Sequence, residues 1–170
     1  MIDQALFLDI STNTGFAWRS ESGLVTSGVK ELPQIPDIGR YLSAYHDWLV
    51  SVIDVFDRDR LCVVYEAPFV KNVSAVEKLF ALSGHTQFVC RRLRVAKYFK
   101  CEPDRIRKHF LGSAHGSREL VKKLTIDECL NRGFDPKDDN EADALAGLDY
   151  TMHCLKLPGL VPGGLFTEAV

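Results

Sequence analysis

Three short stretches hold the residues best suited to chemistry. Asp9 ends the uncharged apolar run Ala5-Leu6-Phe7-Leu8, and Glu66 ends a second such run, Leu61-Cys62-Val63-Val64-Tyr65. Asp143 sits among Ala142, Ala144, Leu145, Ala146 and Leu148. A carboxylate in such company is costly to bury unless something pairs with it. One acid of this kind could simply open a turn. Two buried strands that each deliver an acid at the C-terminal end make a pattern. If those strands are neighbours, Asp9 and Glu66 lie side by side and repel, so that one takes a proton or a cation bridges them. A divalent ion held by oxygen ligands meets that need. Asn140 and Asp139 precede Asp143 by three and four residues and share its helix face, whereas Glu141 points elsewhere.

A basic stretch accompanies these acids. Between Arg91 and Lys123 stand eleven Lys and Arg residues against Glu102, Asp104 and Glu119, a local balance of +8 in a chain whose net charge is −2. The remainder therefore carries −10. Such asymmetry is how a phosphate-binding face reads in sequence; the alternative is a solvated helical surface that meets no ligand. Three acids around one point beside a basic face fit two-metal phosphodiester hydrolysis, with acids for metals and cations for phosphates.

The elements that must position these groups follow from periodicity. After Asp9, Ser11-Thr12-Asn13-Thr14-Gly15 reads as a turn and Phe16-Ala17-Trp18 as a returning strand, with a third strand from Gly23 to Lys30. Asp37 is placed to cap a helix whose apolar stripe runs from Ile38 to Phe56. The strand ending at Glu66 comes next. A helix from Ser74 to Leu93 follows, with Val76, Leu79, Phe80, Leu82 and Phe88 as apolar members and Gly84 at its middle. The pattern then predicts a strand from Val95 to Cys101 and a short helix opened by Pro103. Ser117 caps a helix to Leu130, and a last helix runs from the Asp138 region to about Cys154. This order predicts an α/β fold, a mixed central sheet with helices on both faces. It also predicts one domain over residues 1–156, followed by a flexible tail over 157–170 that is rich in Pro and Gly.

Composition narrows the class. At 170 residues the chain is long enough for one well-packed core, and no apolar run approaches the roughly 20 residues of a membrane span. The strand begins almost at Met1, which predicts no signal peptide. The five cysteines are dispersed and form no CxxC pair, so neither a disulfide framework nor a zinc site is indicated.

Three motifs, in this order and spacing, carry a resemblance: Leu8-Asp9-Ile10-Ser11-Thr12-Asn13-Thr14-Gly15-Phe16-Ala17, Tyr65-Glu66-Ala67-Pro68, and Asp139-Asn140-Glu141-Ala142-Asp143-Ala144-Leu145-Ala146. Over about residues 5–155 the chain resembles the RuvC-like Holliday junction resolvases of the ribonuclease H superfamily, most closely their phage and prophage members. The resemblance implies a ribonuclease H-like sheet of three antiparallel strands plus parallel strands. It implies a metal-dependent endonuclease, usually a homodimer, that cuts two strands of a four-way junction and leaves ligatable nicks. Asp9, Glu66 and Asp143 would be catalytic metal ligands for Mg²⁺, with Mn²⁺ able to substitute and two ions expected. Asn140 stands where many bacterial members have Asp, so that Asn140 or Asp139 would complete the second metal position. Arg118 stands where bacterial members have Lys; it keeps the charge without the compact ammonium, and Lys122 is a nearby substitute for the catalytic cation. The DNA contacts implied are Phe69, Lys71, Arg105, Arg107, Lys108, Arg118, Lys122 and Lys123, with Phe69 either at the junction centre or packed in its loop. A cytoplasmic, nucleoid-associated location in a bacterium or phage-infected cell goes with that role.

Other readings use some of the same residues. A branched-DNA-binding module with little catalysis is suggested by Asn140, and a fork or flap nuclease would share the fold. A phosphotransferase of the actin or sugar-kinase type also uses an Asp and a Thr-Gly hairpin. It needs two such domains and a second phosphate loop, and these 170 residues show no second copy; ATP turnover would support it.

Overall fold

The computed structural model describes residues 1–68, 73–113 and 115–160. Five strands form one sheet: β1 (Gln4–Asp9), β2 (Asn13–Arg19), β3 (Val25–Glu31), β4 (Leu61–Glu66) and β5 (Lys97–Cys101). Their spatial order is β3-β2-β1-β4-β5. The pairs β1–β2 and β2–β3 are antiparallel, and β1–β4 and β4–β5 are parallel. The helices are α1 (Ile38–Ile53), α2 (Val73–Arg92), α3 (Pro103–Leu111), α4 (Arg118–Asn131) and α5 (Asp139–Leu155). The mixed sheet with helices on both faces is the architecture expected from the sequence.

The period of two along each strand divides the core. Leu6 and Leu8 of β1 join Leu61, Val63 and Tyr65 of β4 under α1 and α2. Ala5 and Phe7 join Cys62 and Val64 under α3, α4 and α5. Asp9 continues the second set on β1 and Glu66 continues it on β4. The register pairs Leu8 with Tyr65, so the next step along both parallel strands brings Asp9 beside Glu66. Parity therefore aims both acids at the α5 face.

Two glycines let α5 lie close to the sheet. A Cβ on Gly15, which pairs with Asp9 across the hairpin, would stand 2.0 Å from the backbone carbonyl oxygen of Asn140. A Cβ on Gly147 would stand 2.1 Å from the ring of Phe7. Asp37 and Ser117 cap α1 and α4 as expected, each side chain accepting a backbone N–H of the first turn, and Asp138 does the same for α5.

Some expectations change. The last strand starts at Lys97 rather than Val95, because Val95 N–H closes the end of α2 on Cys90 O and Ala96 N–H goes to Arg58 O. Phe80 and Phe88 of α2 are exposed, since the core-facing side of that helix is taken by Leu82, Thr86 and Val89. Gly84, between them, has no heavy atom within 4 Å of a built Cβ, so it packs against no helix of the described chain. Leu157 and Leu160, the start of the expected tail, pack on the α5-side core, and residues 161–170 lie outside the described residues. Among the described residues no helix is long and apolar enough to cross a membrane.

Candidate active site

The C-terminal ends of β1 and β4 and the first turns of α5 meet at a cleft of about 570 Å³. Its lining includes Asp9, Glu66, Asp143, Asp139 and Asn140. Arg107 from α3 and Arg118 and Lys122 from α4 supply cations, and Val76 and Leu79 of α2 supply an apolar wall. Eight of the residues singled out in the sequence are thus brought together. Arg105, Lys108 and Lys123 are exposed and do not line the cleft. Phe69 and Lys71 lie outside the described residues.

The electrostatics of the acids follow from this placement. Each keeps some surface at the cleft floor, but dense protein around it excludes bulk water. Burial is the first cause pushing the Asp9 carboxyl well above the usual range, and Glu66, Asp143 and Asp139 push it the same way. Glu66 is pushed up to about 7 by burial and then by Asp143, with Arg107 opposing. Asp143 is pushed up to about 6 by burial and by Asp139, opposed by Arg107, Lys122 and Arg118. Arg107 thus lies within electrostatic reach of both Glu66 and Asp143. It also pairs with Asp104 across 3.6 Å on its own helix. Lys122 forms an ion pair with Asp139 inside the cleft.

The donor set suits a hard divalent cation: carboxylate and amide oxygens with no thiolate or imidazole among them. Among the described residues no three such side chains are already close enough to cage an ion. The acids converge on one space, and their raised affinity for protons is the electrostatic signature of a site short of positive charge.

Several residues of the site were not read from the sequence. Glu102 and Asp104 also line the cleft and temper its positive rim. Glu141 is 5% exposed, and its carboxylate accepts the Ser27 hydroxyl at 2.7 Å and the Lys137 N–H at 2.9 Å. It points away from the cleft, as helix geometry predicts, and ties the start of α5 to β3. Nothing local marks that role, because Ser27 is 114 residues away in the chain.

A mixed five-stranded sheet with this strand order, acids at the ends of its two central strands and a helix across them, defines a ribonuclease H-like fold. Within that class the chain is similar to RuvC from Thermus thermophilus: the TM-score is 0.68 at 15% sequence identity, over 92% of this chain and 99% of that one. A second structure, Thermus thermophilus RuvC in complex with a Holliday junction substrate, gives 0.66 at 16% identity, over 90% and 94%. No family model and no curated protein matches the chain.

Proposed function

We propose that this protein is a divalent-metal-dependent, structure-selective DNA endonuclease that resolves four-way junctions by paired phosphodiester hydrolysis. The observation that carries the reading is the convergence of Asp9, Glu66 and Asp143 on one cation-rimmed cleft, in a fold similar to that of a protein solved in complex with a Holliday junction substrate. Asp9, Glu66 and Asp143 hold the ions, Mg²⁺ with Mn²⁺ as a substitute. Asn140 or Asp139 completes the second position. Two such ions supply Lewis acidity toward the scissile phosphate and lower the pKa of the attacking water.

The chain's own residues do the rest. Arg107 and Arg118 stand where they can hold phosphate oxygens and orient the strand. Lys122, paired with Asp139, offers a compact ammonium to the same space. Val76 and Leu79 keep one wall of the cleft dry, which strengthens every charge interaction inside. The exposed line Phe80, Gly84 and Phe88 on α2, at four-residue steps, supports a homodimer, which paired cutting of two strands requires.

One observation favours a second reading, a branched-DNA-binding module. Asn140 is neutral where the resemblance places an acid, and Asp139 is already neutralised by Lys122. A labelled immobile four-way junction, with matched duplex and flap, with and without Mg²⁺ or Mn²⁺, decides. Paired symmetric metal-dependent nicks are the expected result. Tight binding with no product in either metal supports the module, and faster cutting of flaps or forks keeps the chemistry but changes the role.

A further inference from the structure

The basic stretch expected to form one phosphate-binding face is split by the fold. Arg107, Arg118 and Lys122 line the cleft, but Arg91, Arg92, Arg94, Lys97 and Lys100 are exposed elsewhere. Those five occupy the end of α2, the turn after it, and β5, which among the described residues is an edge strand bonded only to β4. The chain has no acid between Cys90 and Cys101. Among the described residues none of the five forms an ion pair. Asp57 and Asp59 flank Arg58 at the lower end of the edge, where Ala96 N–H bonds to Arg58 O. The upper end of β5 runs directly into Glu102 and Pro103 on the cleft rim.

Arg94 adds an independent observation. It takes a left-handed conformation, φ 57, at the turn that ends α2. Val95 N–H to Cys90 O and Arg94 N–H to Arg91 O complete a helix stop of the type that glycine fills at least cost. A side chain there is destabilising relative to glycine, so the arginine stands against local preference. A charge near a helix C-terminus offsets part of this. It covers Arg91 and Arg92 in the last turn of α2 as well, but not Lys97 and Lys100, the two unpaired cations on the adjoining strand.

We propose that this flank, Arg91 to Lys100, is a second DNA-contacting surface, which holds the backbone of a duplex arm as it leaves the cleft. The inference rests on the branched-DNA reading above. The length fits: five residues of strand at about 3.3 Å each extend roughly 16 Å, against one duplex phosphate charge per about 1.7 Å of axis. Cations astride an edge contact phosphates and read no sequence, so the flank adds affinity and direction to any arm. Lys97 and Lys100 on an unpaired edge could otherwise serve only to prevent strand-to-strand aggregation.

The test replaces all five residues by Gln and measures binding to a four-way junction across salt. Each phosphate that the variant no longer neutralises makes the dependence of log affinity on log salt shallower by about 0.9. For three such phosphates, the wild type sheds roughly forty-fold more affinity than the variant between about 50 and 200 mM salt. Cutting of fully bound junction in a single turnover stays within about twofold, because the cleft is untouched. Arg94→Gly alone weakens binding without lowering the melting temperature, a combination that a purely structural role for Arg94 does not produce. Unchanged affinity, or weaker binding with an unchanged salt slope, overturns the proposal. Wild-type protein that binds no junction would instead remove the function on which it rests.

Discussion

The two faces of the sheet are packed by different means. Under α1 and α2 the contacts are made by large side chains, Tyr41, Tyr45, Leu49 and Ile53 against Leu6, Leu8, Val63 and Tyr65. The Tyr45 hydroxyl meets Thr86 Oγ1 at 2.8 Å and fixes α1 to α2. Under α5 the contacts are made by Ala142, Ala144, Ala146 and Gly147 against Ala5, Phe7 and Ala17. Large side chains hold a helix off the sheet, and small ones let it approach. The near face is the one with the acids: a helix that lies close can add Asp143 to a pair already formed at the strand ends. One face is built for burial, and the other sacrifices apolar area for proximity.

The largest effect expected from this difference belongs to Asp9→Asn. On the near face it removes a charge pushed against three other acids. If Asp9 holds a metal at the reacting phosphate as proposed, cutting of a junction in Mg²⁺ should fall by at least about a thousandfold. Stability of the metal-free protein at pH 8, measured by urea unfolding, should rise, because buried repulsion has been relieved. Retained activity, or a variant less stable than the parent, would break the claim that the near face is built around uncompensated charge.

A smaller effect separates the faces by packing alone. Gly15→Ala drives a methyl group into the Asn140 carbonyl, which is backbone and cannot step aside. The start of α5 must move, at a cost of about 3 kcal/mol, and the folded molecules should also need more Mg²⁺ for half-maximal cutting. Leu49→Ala on the far face should cost a similar 2–5 kcal/mol, roughly the usual penalty for a buried leucine. Its Mg²⁺ requirement should not change. Equal shifts in metal requirement for both variants would show that α5 does not set the site geometry.

Much of the near face was legible in the chain. Two uncharged runs that each end in an acid, with a period of two between Phe7 and Asp9 and between Val64 and Glu66, predict acids that point the same way. Helical spacing put Asn140 and Asp139 on the face of Asp143 and turned Glu141 aside. The parts not legible depend on distance rather than pattern. The needs for Gly15 and Gly147 come from atoms 125 and 140 positions away in the chain, at Asn140 and Phe7. The anchor of Glu141 depends on Ser27, which periodicity cannot find. Phe88 counts as apolar in any stripe, yet the core-facing side of α2 is set by Leu82 and Val89, so Phe88 is 54% exposed. The basic stretch was visible as charge, but its division between cleft and β5 edge is a matter of topology.

A pH dependence should also come from the near face. Glu66 at about 7 and Asp143 at about 6 both bind their protons more tightly folded than unfolded, where 4.5 and 3.8 apply. Between about pH 4 and pH 7 the native state therefore holds more protons than the unfolded chain, and stability from these groups falls as pH rises through that window. The contribution is fully present below the unfolded values and is lost above the folded ones. Between pH 5 and pH 8 the loss is on the order of 4 kcal/mol. Urea unfolding of metal-free protein at pH 5 and pH 8 should show this loss, and Glu66→Gln should flatten it. A saturating divalent ion should also recover stability at pH 8 more than at pH 5, since ions and protons compete for the same oxygens. A metal-free protein as stable at pH 8 as at pH 5 would mean that the acids are compensated within the chain, with Arg107 and Lys122 already supplying the positive charge that the comparison of the two faces assigns to an ion.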